Sequence, residues 1–359
     1  MKKRIVICCD GTWNKPESTK VEKNNPTNVL KLVRALCPVD EHRVNQIVFY
    51  DLGVGTGGAY DRYVGGATGY GLSQNILDAY RFLANNYNAE QQDEIWLFGF
   101  SRGAYTARSL CGLVHLVGIL PKNELHKLPA AYEYYHTAPE EREQETEVNA
   151  MTRAVMRPPP EIEFLGVWDT VGSLGAPTPM LGTLTRKLWV RFHDTELCPT
   201  VRNAYQALAI DELRGPFKPA PWTSLRKGQQ VAQVWFSGAH SNIGGGYPDT
   251  GLSDIGLLWM VDQARRCGLA FSSDYLDNPQ LVSPNPAGKL YDSRSMTYKV
   301  LRKYSRPIGP GQLDPEVKKA SVNEYIHPTA MMRLEDPAGN YRPDNLVKAI
   351  ADGIPVWED

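Results

Sequence analysis

The 359-residue sequence predicts an α/β fold, with a mostly parallel central sheet carrying helices on both faces. Three observations predict it. Five apolar runs with strand character recur, at 4–9, 46–52, 94–98, 161–168 and 230–236. Helix-period patterns lie between them, as at 27–36 and 73–87. Each run also ends in a polar or glycine-rich cluster, where parallel sheets bind their ligands.

The first run stops at Asp10-Gly11-Thr12 and the second at a glycine-rich stretch, 53–71. That stretch has no G-x-x-x-x-G-K-[ST] and no dinucleotide fingerprint, so it reads as a loop beside a site. In the helix after it, Ile76, Leu77, Tyr80, Leu83 and Tyr87 share one face. The third run leads into Gly99-Phe100-Ser101-Arg102-Gly103, followed by Ala104, Ala107, Leu110, Cys111 and Val114 at helical spacing. Residues 121–160 are charged, end in three prolines and read as a solvated helical excursion. The fourth run ends at Asp169-Thr170, and the fifth at Ser237-Gly238-Ala239-His240. Between them, 175–227 reads as a cap or lid insert within a single domain, 1–359. Its Leu188 and Trp189 beside Arg186 and Arg191 suit an apolar substrate with an anionic head, and peripheral contact with a membrane; an amphipathic helix packed on the core has the same pattern.

Strand, G-x-S-x-G and helix in succession is the context of a nucleophile elbow, with Ser101 lifted off the sheet edge and Gly99 and Gly103 allowing close approach. A serine hydroxyl needs an imidazole to take its proton, and the imidazole needs a carboxylate to set its tautomer. Ser101, Asp169 and His240 follow three different strands in the order Ser…Asp…His of α/β-hydrolases. Among seven histidines only His240 follows a strand, and Gly244-Gly245-Gly246 next to it allows backbone to crowd the site. Asp169 also reads as a turn or helix cap, and Asp10 and Asp254 compete with it as the acid. Asp254 stands before an apolar helix, where it reads as first-turn charge. An oxyanion hole would use the backbone N–H of Arg102 and a second N–H from Gly11 or Thr12.

Composition excludes other classes. With 39 basic and 40 acidic residues and no basic stripe, nothing argues for nucleic acid. The six cysteines lack metal-ligand spacing and read as thiols in a reducing compartment; no metal or organic cofactor is implied. The apolar core of the N-terminus stops at Asp10, too short for a signal peptide, and no run is long enough to span a bilayer. These readings place the chain in the cytosol and leave export to a signal-independent system; the oligomeric state stays open.

The segments CCDGTWN, TNV, GFSRGAYTAR, FLGVWDTVGSLG, NAYQALAIDELRGPF, WFSGAHSNIGGGY, LSDIGLLWM and IHPTAMMRL occur in that order between about residue 4 and residue 335. The set resembles an α/β-hydrolase domain family that includes the first class of type VI secretion phospholipase effectors. The resemblance implies an α/β-hydrolase fold with Ser101 as nucleophile, Asp169 as acid and His240 as base. The sequence departs from the family at Asn242, where an aspartate is frequent, and has no room for the large membrane-engaging region of such effectors. The expected activity is carboxylic-ester hydrolysis through an acyl-enzyme, on lipid or phospholipid esters. The alternatives are small or polymeric esters, or a non-catalytic binding or signalling module on the same fold.

Overall fold

A computed structural model of the chain describes residues 1–11, 25–53, 69–171, 196–294, 303–310 and 319–358. Its centre is a sheet of seven parallel strands: β1 (Lys3–Cys9), β2 (Asn45–Asp51), β3 (Glu94–Phe100), β4 (Ile162–Trp168), β5 (Val201–Ala209), β6 (Gln230–Phe236) and β7 (Glu324–Ile326). The order across the sheet is β2-β1-β3-β4-β5-β6-β7. The chain therefore builds outward from β1 in one direction and from β3 in the other. In sheets of this kind the crevice beyond the carboxyl ends at such a reversal is where ligands bind. Asp10 ends β1 there, and Ser101 ends β3 beside it.

Alternation along the strands sorts side chains onto two cores. Ile5, Ile7, Cys9, Ile95 and Leu97 face one side, under α2 (Gly69–Asn86) and α3 (Arg102–Val117), with α1 (Asn28–Ala35) lying on the other. Val6, Cys8, Trp96, Phe98, Phe164 and Trp168 face α1 and the long apolar helix Gly251–Arg266. A third, smaller cluster joins Trp235 and Ile326 at the β7 edge to the helices Pro328–Glu335 and Asp344–Ala351. Two-sided burial is why the strands read as continuous apolar runs rather than alternating ones.

Two expectations are corrected. Residues 201–209 of the 175–227 insert form β5, a central strand between β4 and β6, so the insert is not a cap along its whole length. Asn203, Tyr205 and Gln206 break its apolar run: Asn203 caps a neighbouring carbonyl, Tyr205 stacks on Phe164, and Gln206 donates to Ala220 O. The 121–160 excursion is helical, but it is not solvated on every side: Leu128, Ala131 and Val155 are buried in the core under α3, while most of the segment keeps contact with solvent. Asp254 stands in the first turn of the Gly251–Arg266 helix, as its place in the sequence predicts. It is fully buried, paired at 2.6 Å with Lys31 of α1, and takes further hydrogen bonds from Thr250 Oγ1 and Ser283 N.

Candidate active site

The turn after β3 is held in a strained form. Ser101 has φ 57° and ψ −119°, the region L-residues rarely enter. The flanking glycines explain how the chain accommodates it. A Cβ on Gly99 would lie 2.4 Å from Gly103 O, and one on Gly103 would lie 2.0 Å from Cys9 O of β1. Any side chain at either position would push the turn off the sheet. Ser101 N donates to Trp168 O at 3.1 Å, which fastens the turn to β4.

Asp169 follows β4 in the left-handed region, with φ 43°, and is fully buried. Trp168 Nε1 donates to Gly256 O at 3.0 Å and fixes the end of that strand against the Gly251–Arg266 helix. His240 opens the short helix Asn-containing segment His240–Gly244 after β6. These turns bring the three side chains into one line. His240 Nδ1 lies 2.6 Å from Asp169 Oδ2, and His240 Nε2 lies 2.8 Å from Ser101 Oγ. An ionised carboxylate only accepts, so Nδ1 carries the proton and Nε2 is left to accept from the serine hydroxyl. Ser101 and His240 are 8% and 5% exposed, reachable from the sheet edge but largely dry.

The His240 ring is packed by Phe100, at 4.7 Å between centroids, and by the edge of Phe217, at 5.1 Å. The glycine run has a local reason here: a Cβ on Gly244 would fall 2.0 Å from the Phe100 ring. Gly245, at φ +86°, packs its backbone on Thr27 and Asn28, and Asn28 Nδ2 donates to both Ile243 O and Ser253 O at 2.8 Å. Asn242, the departure noted in the sequence, uses both ends of its amide. Nδ2 donates to Lys289 O at 3.0 Å, and Oδ1 accepts from Ala239 N and Tyr291 N, both at 3.3 Å. An aspartate could not make the first of these bonds.

Two charged groups at the site had no signal as site residues in the sequence. Arg306, fully buried, spans Asp169 with Nη1 on Oδ1 at 2.6 Å and Nη2 on Oδ2 at 3.1 Å. Burial alone would push the Asp169 carboxyl up. The Arg306 charge, with the His240 hydrogen bond, outweighs it and holds the group well below the usual carboxylate range. Glu212, also fully buried, accepts from the His240 backbone N at 3.3 Å and from Ser293 Oγ at 3.0 Å, and is bridged twice at 2.8 Å by Arg214. Burial pushes its carboxyl up too, and Arg214 brings it below its ordinary value. Arg306 falls in a Tyr-Ser-Arg-Pro stretch with no periodicity, and Glu212 lies within a longer motif as one acid among several.

The remaining site expectations divide. Arg102 begins α3, where its backbone N–H is one of those a helix leaves without an internal partner. Burial lowers its guanidinium pKa to about 10. The Gly11 N–H donates to Asp10 Oδ1 at 2.6 Å, so it is engaged by the preceding side chain instead of facing an open oxyanion position. Thr12, and Arg186, Leu188, Trp189 and Arg191 of the expected cap, lie outside the described residues. Among the described residues no group of three or more His, Cys, Asp or Glu side chains could hold a metal ion, and no single helix is long and apolar enough to cross a membrane.

The family model "T6SS, Phospholipase effector Tle1-like, catalytic domain" matches residues 3–263. An uncharacterized protein of Saccharomyces cerevisiae is 29% identical over 248 residues, covering 62% of this chain and 33% of the yeast protein. Among solved structures, an uncharacterized protein from Pseudomonas aeruginosa is 19% identical with a TM-score of 0.42, covering 77% of this chain and 47% of that one. A Tle1 effector bound to the VgrG spike of the type 6 secretion system is 20% identical with a TM-score of 0.36, covering 70% and 52%. The chain thus spans a third of the yeast relative's length and about half of each solved chain.

Proposed function

Because the chain belongs to the Tle1-like catalytic-domain family of type VI secretion phospholipase effectors, we propose that it is a serine hydrolase that cleaves the acyl esters of phospholipids. The observation that carries this reading is the line Ser101–His240–Asp169, at 2.8 and 2.6 Å, on a serine held at φ 57°.

In this reading His240 Nε2 takes the Ser101 proton as Oγ attacks the ester carbonyl. The negative charge that develops on the carbonyl oxygen is met by the backbone N–H of Arg102 and one further donor. Collapse of the tetrahedral intermediate releases the alcohol, which takes its proton from His240, and leaves the acyl group on Ser101. Water, deprotonated by the same imidazole, then attacks the acyl-enzyme and frees the fatty acid. Asp169 keeps the proton on Nδ1 and stabilises the imidazolium formed at each half-reaction. The buried ring of Phe100 and the partly buried ring of Phe217 limit water around the imidazole, which strengthens these interactions.

The test is a panel of diacyl phospholipids in mixed micelles and short-chain p-nitrophenyl esters, with wild type against Ser101→Ala. Hydrolysis of phospholipid, together with labelling by a fluorophosphonate that Ser101→Ala abolishes, is the expected result. Cleavage of the short esters alone would replace the lipid substrate by a small one. Absence of both labelling and hydrolysis in folded wild type would leave a binding module on this fold.

A further inference from the structure

We propose that Arg306 is a positioning residue of this site, clamping the Asp169 carboxylate so that one oxygen is presented to His240. The inference rests on the hydrolase reading above and adds to it a residue beyond 3–263, the part of the chain that the family model matches.

The carboxylate has four acceptor positions, and all four are filled. Oδ1 takes Arg306 Nη1 at 2.6 Å and Ala209 N at 3.0 Å; Oδ2 takes His240 Nδ1 at 2.6 Å and Arg306 Nη2 at 3.1 Å. A planar fork of two N–H donors on two oxygens fixes the rotation of the carboxyl group, which a single donor cannot do. The fork is itself immobilised. Nη1 also donates to Ala209 O at 3.1 Å and Nη2 to Phe217 O at 2.6 Å. The backbone of the segment is anchored by Asn345 Nδ2, which donates to Arg306 O at 3.1 Å and to Ile210 O at 3.0 Å. The clamp therefore ties the end of β5, the Phe217 ring beside His240 and the acid into one rigid unit.

Charge gives a second reason. Asp169 and Arg306 are both fully buried, and an ionised carboxylate alone in such a place is costly. Among the described residues, the charged groups around His240 include Asp169 at the end of β4, Glu212 with Arg214 in the turn after β5, and Arg306 from the 303–310 segment. Glu212 is balanced by Arg214, which leaves Arg306 to balance Asp169.

The experiment compares Ser101→Ala, Asp169→Asn, Arg306→Met, Arg306→Lys and the double variant Asp169→Asn/Arg306→Met. Each is assayed for p-nitrophenyl butyrate hydrolysis and for the rate of fluorophosphonate labelling, with folding checked by circular dichroism. Arg306→Met is expected to lower kcat roughly 100-fold at little-changed KM, the scale of a slight misplacement of a catalytic group. The acid limb of its pH–rate profile should move up by about one pH unit, because a buried positive charge beside the imidazole has gone. Arg306→Lys keeps the charge but not the fork, so its acid limb should stay in place while kcat falls at least about fivefold. In the Asp169→Asn background the Arg306→Met change should cost less than about threefold, since it acts through a carboxylate already lost.

Wild-type kcat and pH profile in Arg306→Met, or an undiminished loss in the Asp169→Asn background, would overturn the clamp. If Arg306→Met fails to fold, Arg306→Lys decides, and wild-type kcat there also overturns it. Ser101→Ala separates the two levels. Hydrolysis and labelling that survive Ser101→Ala sink the serine-hydrolase reading and the clamp together. Loss in Ser101→Ala and Asp169→Asn, with a normal Arg306→Met, sinks the clamp alone.

Discussion

Asp10 and Asp169 are the same residue in nearly the same place. Each follows a parallel strand adjacent to β3, one on either side of Ser101, and both are buried. Their surroundings differ. Asp169 faces a guanidinium and an imidazole, whereas the donors to Asp10 include three neutral groups: Gly11 N at 2.6 Å, Thr27 Oγ1 at 2.5 Å and Tyr50 OH at 2.7 Å. Asp10 works as a local tie. It joins β1 to β2 through Tyr50 and, through Thr27, to the glycine run after His240, since Thr27 bridges Gly245. The comparison teaches that position on the sheet makes a carboxylate available, and the partners supplied from distant parts of the chain decide what it can do.

The largest test of that contrast is Asp169→Asn against Asp10→Asn. Neutralising a triad carboxylate costs on the order of 10⁴ in turnover, because the imidazole loses its tautomer. On the hydrolase reading Asp169→Asn should fall that far in ester turnover, while Asp10→Asn stays within about tenfold, the effect of a loosened tie. Equal losses in kcat would erase the distinction between the two acids.

A third buried carboxylate sets the scale for a purely structural pair. Lys31→Met leaves Asp254 buried without its cation, which should cost about 3–5 kcal/mol in urea unfolding. Activity per folded molecule should not change. A matching loss of kcat in fully folded Lys31→Met would link this pair to the site.

Thr27→Ala removes both a donor to Asp10 and the side-chain cap of α1, where Thr27 Oγ1 accepts from Leu30 N at 3.2 Å. The expected loss is about 1–2 kcal/mol. A Thr27→Ser variant should recover most of it, and failure to recover would place the effect in methyl packing.

The smallest effect has the opposite sign. Burial, with the charge of Asp10 adding to it, raises the Asp51 carboxyl to about 6. A group raised in the folded state contributes stability below its unfolded value, near ~4, and loses it as pH rises through the folded value. Asp51→Asn should therefore stabilise the protein by about 1 kcal/mol at pH 7 and change nothing at pH 4. Asp169, whose carboxyl is lowered, follows the reverse rule: its contribution is present above ~4 and lost as pH falls below it. Thermal unfolding of Asp51→Asn between pH 4 and pH 7 checks the sign, and a gain of equal size throughout would assign the effect to something other than ionisation.

Much of this was legible in the amino-acid order. Buried parallel strands are apolar over their whole length, so β1, β2, β3, β4 and β6 stand out, and the polar residues that follow them mark the ligand edge. The elbow glycines and the glycines after His240 were legible for the same reason, since only a missing Cβ permits backbone contacts as short as those of Gly103 and Gly244. β5 was hidden because Asn203, Tyr205 and Gln206 satisfy their polar groups or pack only once neighbouring strands are present. The pairings of Arg306 with Asp169 and of Lys31 with Asp254 were hidden more deeply. They join residues 137 and 223 positions apart, and no periodicity relates such positions. Local order thus determined which side chains stand at the strand ends, because period and glycine placement act over a few residues. Only the tertiary structure decided which cation meets which buried carboxylate, because burial leaves a charge in need of a partner that any distant segment can supply.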